Sequence, residues 1–101
     1  MHAEVKTAAE FDAATAAGDV LVDFWAPWCS PCQLMGAAIA SELEPQRSEI
    51  KVVKVNVDEA PELAARFGIA SIPALFCFRG GVKTAEFVGF TPVKDILAAF
   101  A

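Results

Sequence analysis

Two cysteines three positions apart, Cys29 and Cys32 in the run Trp28-Cys29-Ser30-Pro31-Cys32, are the residues of this chain best suited to chemistry. They follow directly on the apolar stretch from Val20 to Ala26, where a strand hands over to a helix. At such a junction the first thiol takes the helix N-terminus and the second stands one turn further in. Their Cα atoms then fall within the roughly 4.4–6.8 Å that a disulfide tolerates. The positive helix end favours a thiolate at the first position. Two sulfurs that form and break a bond, one of them so activated, make a redox switch.

Other readings of the thiols are open. Two inert buried cysteines are the bland one. A zinc site needs four ligands, more than this pair with Cys77 and His2 comfortably supplies, and a cluster shared between two subunits is formally allowed. Cys77 lies inside Ala74-Leu75-Phe76-Cys77-Phe78 and reads as a small buried hydrophobe on a strand. Asp23 is the lone charge in the apolar run before the cysteines. Buried, its carboxyl is desolvated and its pKa rises; at a strand edge it simply faces water.

The elements that must position these groups can be read from pattern. Thr7 with Glu10 three residues on is a capping box, so a helix starts there and runs to Gly18. Val20 to Ala26 is a buried central strand. Pro31 to about Pro45 is a second helix, with Leu34, Met35, Ile39 and Leu43 as its buried face. Lys51 to Val57 is a β-branched strand, and Pro61 opens a short helix that Gly68 closes. Pro73 to Phe78 and Val82 to Val88 are strands joined by the Gly80-Gly81 turn, and Thr91-Pro92 opens a last helix. A short strand at Ala3 to Lys6 completes the set. The alternating first part implies parallel strands with crossover helices, and the end is an antiparallel hairpin. The expected fold is α/β: a central mixed sheet of four to five strands flanked by about four helices.

Bulk properties narrow the function. At 101 residues the chain is expected to be one domain, 1–101, and its 55% hydrophobic and 21% charged residues suit a compact core. A formal net charge of −5 with no basic run argues against nucleic acid and anionic membrane surfaces as partners. No apolar stretch approaches a membrane span, and the N-terminal Met1-His2-Ala3-Glu4-Val5-Lys6 lacks a leader pattern, so a cytoplasmic location is expected.

The chain resembles the thioredoxin family over nearly its whole length. The resemblance is carried by Val22-Asp23-Phe24-Trp25-Ala26-Pro27-Trp28-Cys29-Ser30-Pro31-Cys32, by Val55-Asn56-Val57-Asp58, Phe67-Gly68-Ile69 and Ser71-Ile72-Pro73, and by Gly89. It implies a thioredoxin fold and a protein-disulfide reductase that uses no cofactor or metal beyond its own redox-active Cys29–Cys32 disulfide. Cys29 would attack a substrate disulfide and Cys32 would resolve the mixed disulfide. Asp23 would carry the proton for Cys32, with Lys54 approaching it; as a bare residue Lys54 is equally a snorkelling surface lysine. Pro73 would follow a cis bond opposite the cysteines and turn the Ile72 backbone toward an extended substrate. Trp28, Ile72, Pro73, Gly89 and Phe90 would form the apolar rim. The partners implied are disulfide-containing proteins and a thioredoxin reductase, in electron transport and redox homeostasis, with the chain a monomer.

Departures from the family concern tuning. Ser30-Pro31 stands where Gly-Pro is usual; Pro31 keeps a reducing poise, while Ser30 is expected to make the couple somewhat more oxidising. Gln33 replaces a common lysine, Gly36-Ala37 stands where a kinking proline is frequent, and Phe90 is bulkier than usual. Two alternatives accompany the reductase: a non-catalytic thioredoxin-like binding module, and a more oxidising disulfide exchange enzyme.

Overall fold

The computed structural model describes residues 2–101 except for the side chain of His2. Met1 of the N-terminal run, and His2 as a metal ligand, therefore lie outside the described residues. Five strands form one sheet in the order β1-β3-β2-β4-β5: β1 His2–Glu4, β2 Asp19–Trp25, β3 Lys51–Asn56, β4 Ala74–Arg79 and β5 Val82–Val88. The first three are parallel, β4 runs antiparallel to β2, and β5 antiparallel to β4. Four α-helices complete the fold: α1 Ala8–Thr15, α2 Ser30–Ala38, α3 Pro61–Arg66 and α4 Val93–Ala99. This is the mixed α/β sheet expected from the pattern, with the short N-terminal strand as its fifth member.

β2 is central because every residue from Val20 to Phe24 is shut from solvent, with β3 on one side and β4 on the other. Alternation along it splits the core in two. Val20, Val22 and Phe24 point to a face filled by Phe11, Leu63 and Phe76. There Phe24 and Phe76 meet edge-on, with ring centroids 5.0 Å apart. Leu21 points the other way, into Met35, Leu43, Leu75, Ile96 and Phe100 beneath α2 and α4. Asp23, two residues on, shares the face of Leu21. The register sets Lys54 and Leu75 beside Asp23, and Glu4 on the far side of Lys54.

Local rules account for the helix starts. The Thr7 side chain accepts from the Glu10 N–H while Glu10 accepts from the Thr7 N–H, which is the capping box. The helix ends earlier than Gly18, at Thr15, whose hydroxyl donates to the Phe11 carbonyl. Gly18 instead takes a positive φ of 73° in the turn into β2, a conformation costly to residues with a Cβ.

The second helix differs from expectation in two ways. It is not one α-helix to Pro45: α2 stops at Ala38 and a π-helical turn, Ile39–Leu43, follows, closed by the Glu44 N–H donating to the Ile39 carbonyl at 3.0 Å. The wider turn keeps Ile39 and Leu43 both in the core. Leu34 is not on the buried face; it is 64% exposed. Cys32, Met35 and Ala38 make the inward stripe, and Leu34, one step before Met35, is rotated about 100° away from it.

Candidate active site

Cys29 is the N-cap of α2, in extended conformation, and Pro31 sits in the first turn, where a missing N–H costs nothing. This lets the chain leave β2 and enter the helix with the two sulfurs facing each other. They are joined as a disulfide, with Cα atoms 5.2 Å apart. The Cys32 N–H donates to the Cys29 sulfur at 3.2 Å. On reduction that N–H, together with the helix end, stabilises negative charge on Cys29 specifically. Burial hardly separates the two: Cys29 is 5% exposed and Cys32 3%. In the oxidised state the two sulfurs therefore differ in their electrostatic surroundings more than in access.

Around the pair lie Ala26, Trp25, Val57 and Ile72. The Cys29 sulfur is 3.9 Å from the Ile72 carbonyl oxygen, and the Ile72–Pro73 bond is cis. Gly89, at φ 86°, donates its N–H to the Pro73 carbonyl at 2.8 Å, which ties the loop after β5, one residue before Phe90, to the cis-proline. Phe90 is 51% exposed and Trp28 69%. Neither is a core residue, as their bare types would suggest. Ser30 is exposed, and its hydroxyl makes no hydrogen bond among the described residues.

Asp23 is fully buried, and neither carboxyl oxygen has a hydrogen-bond partner. Burial raises its pKa to about 6; the Lys54 ammonium pulls it back down and the Glu4 carboxylate adds a little upward. Lys54 makes no ion pair with Asp23. Its Nζ lies 4.6 Å over the centroid of the Trp25 ring, a cation–π contact. Cys77 is fully enclosed in the core on the α2–α4 side, and desolvation pushes its thiol up to about 11. A thiol so placed is a poor nucleophile near neutrality.

One contact of the site escaped sequence reasoning. The Trp28 indole N–H donates to the Asp58 carboxylate at 2.8 Å, and Asp58 is itself held by its N–H donating to the Asn56 side chain at 3.0 Å. Asp58 belongs to the Val55–Asp58 run, but nothing local connects it with a tryptophan thirty positions earlier.

The arrangement matches known proteins throughout. The thioredoxin family pattern covers residues 2–101. The chain is 49% identical over 73 residues to thioredoxin 1 of Nostoc sp., which covers 72% of this chain and 68% of that one. It is 43% identical over 82 residues to the thioredoxin of Alicyclobacillus acidocaldarius, covering 81% and 78%. Among solved structures, a mutant thioredoxin of Halobacterium salinarum superposes with a TM-score of 0.85 at 31% identity, covering 98% of this chain and 89% of that one. Thioredoxin of Plasmodium falciparum gives 0.84 at 29%, covering 97% and 98%. With a bonded cysteine pair capping α2 in this fold, the chain belongs to the thioredoxin family and is a thiol–disulfide oxidoreductase that reduces protein disulfides.

Proposed function

We propose that Cys29 is the attacking and Cys32 the resolving residue, with Asp23 as proton carrier and Lys54 as the charge that tunes it. The observation that supports this most is the Cys32 N–H aimed at the Cys29 sulfur, since a donor there favours a thiolate on Cys29 alone. The reduced protein attacks a substrate disulfide through Cys29; that S–S bond breaks, one substrate thiolate leaves, and a mixed disulfide forms. Asp23 then takes the Cys32 proton, Cys32 attacks the Cys29 sulfur, and the second substrate thiolate departs and is protonated. Two electrons have passed to the substrate, and the Cys29–Cys32 disulfide remains.

Trp28, Ser30, Pro31, Ile72, Pro73, Gly89 and Phe90 are the proposed substrate-contacting surface. Its support is the exposure of Trp28 and Phe90, the first adjoining Cys29 in the chain, with the Ile72 carbonyl next to the Cys29 sulfur. A reductase recharging the disulfide, a monomeric state, residues 1–101 as a single domain and a cytoplasmic location belong to the same reading. A buried free thiol at Cys77 suits a reducing compartment. Among the described residues no helix is long and apolar enough to cross a membrane.

The test is insulin reduction driven by dithiothreitol, with Cys29→Ser as the control. Turnover above the control is expected; equality would leave only a binding groove. Trapping with Cys32→Ser, which halts the cycle at the mixed disulfide, then identifies the substrates and the reductase.

A further inference from the structure

A carboxyl that takes a proton in each turnover must also give it up, and Asp23 has no surface in contact with solvent. The structure holds one feature that solves this problem. A cavity of about 30 Å³ lies against Asp23, walled by Gly36, Ile39, Ala40, Glu44, Val52 and Lys54. It exceeds the roughly 10–15 Å³ that a single water requires. Its wall runs from fully buried Asp23 to solvent-exposed Ala40, so it connects the core with the surface between α2, the π-helical turn and β3. Asp23 contributes two buried oxygens without a hydrogen-bond partner, and Lys54 and Glu44 contribute a donor and a carboxylate. A water there has the two to four polar partners that buried water needs.

We propose that this cavity is the route by which Asp23 returns its proton to solvent, with Glu44 the relay at its outer end and Gly36 the residue that keeps it open. The inference rests on the reading of Asp23 as proton carrier for Cys32. In the step, the Asp23 O–H bond breaks as a water O–H bond forms, and a proton of that water passes to the Glu44 carboxylate and on to bulk solvent. No electrons move in this leg. The charged groups facing the site are Asp23 from β2, Lys54 from β3 and Glu44 from the end of the π-helical turn, with Glu4 of β1 beyond Lys54 in register. Gly36 is needed for space and not for conformation, since it sits inside α2. A Cβ there would stand 3.5 Å from the Lys54 Nζ, an ordinary contact that the fold accepts but that intrudes on the cavity.

The test follows the protonated-carboxyl infrared band of Asp23 in the oxidised protein after a jump from about pH 5 to about pH 8, across its titration near 6. Asp23→Asn assigns the band. Glu44→Gln and Gly36→Val are expected to slow its decay by about a hundredfold or more, the lower end of what a positioned acid or base contributes, while leaving the equilibrium midpoint in place. Gly36→Ala provides a smaller intrusion if Val does not fold. Unchanged decay in Glu44→Gln and the Gly36 variants overturns the route, as does a shifted midpoint with unchanged decay, which would mean that Glu44 acts only as a nearby charge. The underlying reading fails separately, if Asp23→Asn reduces insulin as fast as the parent protein.

Discussion

Lys54 stands beside Asp23 in the β2–β3 register, yet its ammonium lies over the Trp25 ring and leaves the buried carboxyl without a partner. The distinction matters because an ion pair would hold Asp23 ionised. Poised instead by burial against a more distant cation, Asp23 titrates at about 6 and can both accept and release a proton near neutrality.

The first consequence is for stability. Asp23 has a folded pKa of about 6 against 3.8 for the ordinary carboxyl. The folded state therefore binds the proton more tightly, and the stability this contributes is present below pH 3.8 and lost as pH rises through 6. The loss amounts to about 3 kcal/mol. Urea unfolding of the parent protein and Asp23→Asn at pH 4 and pH 8 should show the variant gaining about that much on the parent at the higher pH. A difference between the two proteins that does not depend on pH would contradict the assignment.

The second concerns the cation. Lys54 lowers the Asp23 pKa across the space between them, so Lys54→Met should raise it. If ionised Asp23 is the base, the rate of Cys32 attack on the mixed disulfide should climb at higher pH in the variant than in the parent. Alkylation of Cys29, which does not need Asp23, serves as the internal reference. An unmoved pH profile would show that Lys54 is coupled only to Trp25.

The third follows from the indole contact. Asp58 fixes an aromatic ring that is otherwise largely in water. Asp58→Ala frees it at a cost of about 1 kcal/mol, which is about fivefold in kcat/KM for a protein disulfide. Reaction with a small disulfide, which does not use the rim, should hardly change. Asp58→Asn keeps an acceptor and should recover most of the loss; failure to do so would point to charge, not to positioning.

The fourth tests the position between the cysteines. The Ser30 hydroxyl has no hydrogen-bond partner in the disulfide state, so a bond to a Cys29 thiolate would be gained only on reduction and would favour the dithiol. Ser30→Gly should therefore have the lower, more reducing potential in glutathione or dithiothreitol equilibration. Equal potentials would remove Ser30 from the account.

Much of the site was legible because it is written locally. An i, i+3 cysteine pair behind an apolar strand specifies both a helix cap and a disulfide reach, whatever the rest of the chain does. The capping box at Thr7 and the hairpin at Gly80-Gly81 are equally local. Leu34 shows the limit: its type fitted the buried face, but the inward stripe was set by which side of α2 met the sheet. The π-helical turn after Ala38 likewise arose where Ile39 and Leu43 had to reach one core together.

The sequence alone determined the chemistry available here, since two thiols at that spacing and one carboxyl in an apolar strand admit few uses. Only the tertiary structure decided how those groups are tuned. It set the Ile72 carbonyl against Cys29 across forty-three positions, sent the Trp28 indole to Asp58, and chose Trp25 over Asp23 for Lys54. The physical reason is solvation. A carboxyl's pKa, a lysine's partner and an indole's donor all depend on which neighbours displace water, and those neighbours come from strands and loops far apart in the chain.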